Sequence, residues 1–250
     1  MKKVALITQA RVGSSRFKNK VLYHLTSKDS LLSIHLERIL KSKSINFFYV
    51  ATTNEEGVDL IESVAKISSF NVYKYSGEIN DVLSRYFYCS KLFEADFIVR
   101  VTSDCPLIDS NLIDRIVDFT IKNDLDYCSN TLIDEYPDGQ DIEVFKQQML
   151  VEAHFNAVLQ SDREHVTPYI KLNAKKISQF SELKRPGFQK IRMTVDYPED
   201  IKVISDCISN LGKWASWEDY ASFINRNSNC YSNQSIIRNI GYLKSIENEK

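Results

Sequence analysis

A chain of 250 residues, 43% hydrophobic and 26% charged, has ordinary globular composition and enough sequence to enclose one large core, so a single domain over residues 1–250 is expected. Its 32 Lys and Arg against 33 Asp and Glu leave a formal net charge of −1, which argues against a protein that binds nucleic acid over a broad surface. No apolar run approaches the roughly 18 residues of a membrane span, and the apolar part of Met1–Thr8 is too short for a signal peptide, so a cytoplasmic protein without a membrane partner is expected.

The chain opens on Val4-Ala5-Leu6-Ile7, a short apolar run suited to a central parallel strand buried on both faces. It leads into a basic loop in which Arg11, Arg16, Lys18 and Lys20 fall within ten residues that contain no acid. Apolar residues at helical spacing follow from Leu31 to Leu40, then a strand at Phe47–Ala51, a helix at Val58–Ala65 and a strand at Asn71–Tyr73. The rhythm continues with a helix from Asp81 to about Phe93, strand Phe97–Val101, a helix from about Asn111 to Ile121, and strand Asp126–Cys128. This alternation is the signature of βαβ units and a mostly parallel sheet. From about Asp134 to residue 185 it becomes irregular: a Pro137-Asp138-Gly139 turn, a strand at Ile142–Phe145, a helix to about Leu159, and a strand at Lys176–Phe180. Ile191–Val195 reads as another core strand, followed by helices after Pro198 and around Trp214–Ile224, and the polar end Glu247–Lys250 reads as frayed.

Open α/β sheets place ligands at the carboxyl ends of their strands, so the loops there carry the expected site. Gln9-Ala10-Arg11-Val12-Gly13-Ser14-Ser15-Arg16 joins two arginines to a glycine and small hydroxyl residues that allow close approach to phosphate. It matches neither the P-loop nor the dinucleotide fingerprint, and fits a cation-rich cradle for a polyphosphate. Val101-Thr102-Ser103-Asp104-Cys105-Pro106 and Val195-Asp196-Tyr197-Pro198-Glu199-Asp200 each present an acid straight after a buried strand. Two such carboxylates can share one Mg²⁺ whose octahedron is completed by triphosphate oxygens and water; alternatively each simply caps the next helix. The histidines, His24, His35, His154 and His165, lack metal-ligand spacing, and only His165 has interesting neighbours, in Arg163-Glu164-His165-Val166-Thr167-Pro168-Tyr169. Five cysteines (Cys89, Cys105, Cys128, Cys207, Cys230), odd in number and without a C-x-x-C pair, favour neither a disulfide framework nor a zinc site.

Taken in order, Gln9–Arg16 with Lys20-Val21-Leu22, Gly77–Tyr86, Arg100–Asp109, Pro137–Phe145, Arg163–Tyr169 and Thr194–Asp200 resemble the cytidylyltransferases grouped with spore coat polysaccharide biosynthesis protein F, relatives of the CMP-acyl-neuraminate and CMP-Kdo synthetases. The similarity runs from about residue 3 to 204. One departure is that Phe17-Lys18-Asn19-Lys20 stands where the family usually has Leu-Pro-Gly-Lys, so the lysine is kept and the Pro-Gly bend is not. The resemblance implies a glycosyltransferase-A-like (Rossmann-like) three-layer α/β/α sandwich with a mostly parallel mixed sheet. It also implies an enzyme that transfers CMP from CTP to a sugar acid or phosphorylated small molecule, releasing pyrophosphate, in surface polysaccharide or glycoconjugate biosynthesis.

The site residues implied follow the motifs. Arg11, Arg16, Lys20 and Asp104 would be catalytic, and Asp104 and Asp196 would hold Mg²⁺. Gln9, Ala10, Gly13, Ser14, Ser15, Ala51, Thr52, Asp81, Val82, Leu83, Thr102 and Ser103 would join the basic residues around the nucleotide, and Asp138, Gln140, Glu143, Arg163 and His165 would meet the acceptor. A homodimer with Arg163–Ile170 near its interface is implied as well. Two other readings stay open: a glycosyltransferase of the same architecture, for which Asp124-Leu125-Asp126 is the formal D-x-D match, and a catalytically silent nucleotide-binding protein.

Overall fold

A computed structural model describes residues 2–14, 16–182, 187–247 and 249. Its frame is a seven-stranded sheet made of β1 (Val4–Gln9), β2 (Phe47–Thr53), β3 (Asn71–Tyr75), β4 (Phe97–Thr102), β5 (Tyr127–Ser129), β6 (Glu143–Lys146) and β7 (Ile177–Gln179), in the order β3-β2-β1-β4-β6-β5-β7. The first four are parallel, β6 runs antiparallel to both β4 and β5, and β7 pairs parallel with β5. The expected mostly parallel mixed sheet is therefore present.

Side chains alternate across this sheet with period two, and each face has its own apolar layer. Val4 and Leu6 of β1 and Val99 and Val101 of β4 pack with α1 (Leu31–Ile39), α2 (Val58–Ile67), α4 (Ser110–Lys122), α8 (Pro198–Leu211) and α9 (Trp217–Arg226). Ala5 and Ile7 of β1 and Ile98 of β4 pack with α3 (Val82–Ser90), α5 (Gln147–Asn156) and α7 (Pro168–Asn173). Burial on both sides explains why β1 reads as a continuous apolar run.

Two expectations change. The helix drawn to Leu159 ends at Asn156, where Ala157 turns extended, and the chain continues as α6 (Gln160–His165) and α7, separated by Val166 at φ 70°. Ile191–Val195 is buried and extended but makes only one bridge, Asp138 with Arg192; Val195 N–H donates to the Asp104 carbonyl at 2.8 Å, so the segment is held between two loops and adds no strand to the sheet. One helix was not expected, α10 (Ile240–Glu247), which ends where the polar segment Glu247–Lys250 begins; within that segment Glu249 accepts hydrogen bonds from the backbone and hydroxyl of Ser161, and Asn248 and Lys250 lie outside the described residues. The five thiols are all free, and among the described residues no helix is long and apolar enough to cross a membrane.

Candidate active site

Strand order reverses between β1 and β4, and their carboxyl ends, Gln9 opposite Thr102, open into a cleft of about 840 Å³. A chain of hydrogen bonds fixes these two ends. Ser103 Oγ donates to the Gln9 carbonyl and meets Thr8 Oγ1 at 3.2 Å, Thr8 Oγ1 meets His35 Nε2 at 2.9 Å, and His35 Nδ1 meets the Cys105 carbonyl at 2.9 Å. Burial pushes His35 down to about 4, so at neutral pH the ring is uncharged, with Nδ1–H donating to Cys105. His35 thus backs the loop that carries Asp104.

On the other side of that loop, Lys20 Nζ donates to Asp104 Oδ2 at 3.0 Å, to Asp196 Oδ1 at 2.9 Å and to the Val195 carbonyl at 2.8 Å. The missing Pro-Gly bend is replaced by Asn19, which takes the left-handed conformation (φ 59°) that asparagine tolerates better than most residues, and Lys20 enters the cleft floor from it. Burial opposes the ammonium, but Asp104 and Asp196 outweigh it and raise its pKa. Burial would likewise raise Asp104, yet Lys20 and the Thr102 hydroxyl hold its carboxyl far below the usual range. Neither aspartate caps a helix. Asp109 caps α4, accepting from the backbone of Asn111 and Leu112, and Asp200 turns back to accept from the backbone of Asp196 and Tyr197. Both site carboxylates are thereby left facing the cleft.

Asp196 is aimed by a second network. Arg192 donates from Nε and Nη2 to Asp200, from Nη1 to Asp138 at 2.7 Å, and from Nη2 to Asp196 Oδ2 at 3.2 Å. Gly139, at φ 107°, permits this: a Cβ there would lie 2.8 Å from the backbone of Met193. Burial and neighbouring Asp141 push Asp138 up to about 7 against the pull of Arg192 and Arg238.

The amino-terminal side of the cleft is cationic. Arg16 donates to Asp196 Oδ1 at 2.6 Å and lies over the Tyr197 ring, whereas Arg11 has no hydrogen-bond or ion-pair partner among the described residues. Beside it, buried Arg85 donates to the Ile79 carbonyl and leaves Nε without a partner; burial first, and Arg11 second, lower its pKa. Two guanidinium groups lining one cleft, with Glu55 the carboxylate acting on Arg85, favour an anion there.

Of the residues expected around the nucleotide, Gln9, Ala10, Arg11, Ser14, Arg16, Lys20, Val82, Thr102, Ser103 and Asp104 line the cleft. Gly13, Ala51, Thr52, Asp81 and Leu83 do not, and Ser15 lies outside the described residues. Leu83 and Ala51 are core, and Asp81 caps α3 while pairing with Arg163 at 2.7 Å, which takes both charges away from the cleft. Among the expected acceptor residues, Asp138, Glu143 and His165 line the cleft; Gln140 is buried between the Leu107 carbonyl and the Asp109 backbone N–H. Arg85 and Arg192, each an arginine inside an otherwise apolar pattern, also line the cleft, as does the wall from Ile236 to Ser245, and none of these was expected there.

Asp124 and Asp126, the D-x-D match, sit at the start of β5, beside the Lys146 end of β6 and thus at the edge of the sheet away from the cleft, where they pair with Lys146 and Lys176. That geometry gives no support to the glycosyltransferase reading.

A sequence model described as Cytidylyltransferase matches residues 5–228. The spore coat polysaccharide biosynthesis protein SpsF of Bacillus subtilis is 29% identical over 237 residues, covering 91% of this chain and 96% of that protein. The 8-amino-3,8-dideoxy-manno-octulosonate cytidylyltransferase of Shewanella amazonensis is 29% identical over 151 residues, covering 59% of this chain and 60% of that one. A solved cytidylyltransferase from Leptospira borgpetersenii superposes with a TM-score of 0.85 at 32% identity, over 95% of this chain and 100% of that chain.

Proposed function

The chain belongs to the cytidylyltransferase family and is a nucleotidyltransferase; from that premise we propose that it transfers CMP from CTP to an anionic sugar, a sugar acid in the first instance, with release of pyrophosphate. The observation that carries the reading is the convergence of Asp104 and Asp196 on Lys20, at the carboxyl ends of β1 and β4, in a cleft also lined by Arg11 and Arg85. In-line transfer needs positioning and neutralisation of charge more than covalent help from the protein. An acceptor oxygen bonds to the α-phosphorus, the bond to pyrophosphate breaks, and the hydroxyl proton leaves to water. Arg11, Arg85 and Arg16 neutralise the triphosphate, and Lys20 meets charge developing near the two carboxylates.

Asp104 and Asp196 suit Mg²⁺ as hard oxygen donors brought to one cation, and the Cys105 thiol approaches Asp104 Oδ1 at 3.6 Å. Among the described residues no group of three or more His, Cys, Asp or Glu side chains is arranged to hold a metal, so triphosphate oxygens would complete the shell. There the ion would polarise the α-phosphate.

The choice of a sugar acid draws on the Shewanella relative's own substrate, and a role in polysaccharide biosynthesis on SpsF. We also propose a homodimer through α5–α7, where Phe155, Val158 and Leu172 are 72%, 87% and 86% exposed beside Arg163–Ile170; a monomer in sedimentation at micromolar concentration would contradict it. Pyrophosphate release with each of the four nucleoside triphosphates, against a sugar acid and a sugar phosphate, tests the main proposal. Release from CTP with the sugar acid is expected, and equal turnover of ATP or UTP would remove the base assignment.

A further inference from the structure

The family match ends at residue 228, yet the described chain beyond it forms a wall of the cleft. Its base is firmly seated: Asn233 Nδ2 donates to Asp200 at 2.8 Å, Gln234 exchanges two hydrogen bonds with the backbone of Arg192, and Arg238 donates to Asp141 and the Tyr136 carbonyl. From there Asn239, at φ 59°, turns the chain into α10. The helix starts beside the phosphate loop, with Gly241 next to the Arg16 guanidinium, and ends on α6, where Ser245 Oγ donates to Glu164 at 3.0 Å and meets His165 Nε2 at 3.1 Å. Tyr242 stands edge-on to the His165 ring, centroids 5.0 Å apart. Eight residues at about 1.5 Å each therefore bridge the two sides of the cleft mouth.

Beneath this bridge Arg100 and Lys171 are matched by two carboxylates, Glu143 and Glu164, and Lys244 is the cation in excess. Glu143 is buried and bonded to Arg100, Lys171, the Tyr127 hydroxyl and the Thr167 hydroxyl, Glu164 stands as a second carboxylate on the other side of His165, and Arg100 Nε is buried without a hydrogen-bond partner among the described residues. His165 adds no charge at neutral pH, because burial lowers its pKa. Lys244 lines the same space and has no hydrogen-bond or ion-pair partner among the described residues.

We propose that α10 completes the acceptor end of the cleft and that Lys244, with the unpartnered Nε of Arg100, binds the anionic group of the acceptor and sets acceptor selectivity. This rests on the cytidylyl-transfer reading above. The anion recognised is a carboxylate or a phosphate monoester, and the two are separated by experiment. The full chain loaded with a non-hydrolysable CTP analogue and Mg²⁺ is titrated by calorimetry with 8-amino-3,8-dideoxy-manno-octulosonate in one arm and glucose 1-phosphate in the other.

At least one anion is expected to bind. Lys244→Ala and a chain ending at Arg238 should weaken it roughly tenfold or more, as expected for loss of a charge-assisted contact, while Lys244→Arg retains it and all variants bind the CTP analogue as the full chain does. Binding of neither anion to the full chain, or unchanged affinity in Lys244→Ala and the shortened chain, would overturn the proposal. Failure of the CTP analogue itself to bind would instead strike the cytidylyl-transfer reading.

Discussion

The two sides of the cleft are built in different ways. On the β1–β4 side, regular parallel strands deliver Gln9, Thr102 and Asp104 to one edge through backbone register alone. On the other side Asp196 arrives on a segment with a single bridge, and its position depends on Arg192, Asp200, Asp138 and the tail residues Asn233 and Gln234. A ladder tolerates the loss of one side chain, whereas a network of charged side chains does not, so the two sides should respond differently to substitution.

The largest effect is expected where the sides meet. Lys20→Met leaves Asp104 without an ion-pair partner among the described residues, while Asp196 keeps Arg16 and Arg192, and should cost about 3 kcal/mol of stability together with most of the activity, read by urea unfolding and pyrophosphate release. Acidification strains the ladder side next. His35 is held down to about 4 from an ordinary 6.5, so the unfolded chain takes up the proton first. Stability is full above about pH 6.5, declines by about 3 kcal/mol on passing down to about pH 4, and loses nothing more from this group below that. His35→Gln should flatten the decline in unfolding midpoints.

Arg11→Ala should weaken CTP binding by roughly 1.5–3 kcal/mol with the fold intact, because Arg11 has no partner to replace among the described residues. Arg16→Ala should cost less in calorimetry, since Arg16 must first give up Asp196. Gly139→Ala forces a Cβ against the backbone of Met193 and should lower stability by roughly 1–3 kcal/mol, with the activity loss exceeding that of an alanine in the β1–β4 ladder.

The same contrast explains what the sequence revealed. Strands β1–β4 and the helices between them were legible because burial on one or two faces imposes a period that can be counted, and the loops that follow them stood out by charge. Asp104 and Asp196 were identifiable as acids after apolar runs, but whether they capped helices depended on Asp109 and Asp200 taking that role, which only the fold reveals. Asp81 and Arg163 lay in motifs yet neutralise each other off the cleft. The end of the chain was illegible because α10 has no buried residue; its place is set by side-chain contacts to Asp200, Arg192 and Asp141, at long sequence separation.

Under the proposed function, Asp104 and Asp196 act as one unit on the transferred phosphate. Pyrophosphate release from CTP, followed against Mg²⁺ concentration for Asp104→Asn, Asp196→Asn and the double variant, tests it most directly. Each single change should cost roughly a hundredfold or more in turnover per folded molecule, beyond any fall in the thermal midpoint, and the double should lose hardly more turnover than either alone, because either change disables the same centre. Near-normal turnover with an unchanged Mg²⁺ requirement in both single variants, or losses that simply multiply in the double, would contradict it.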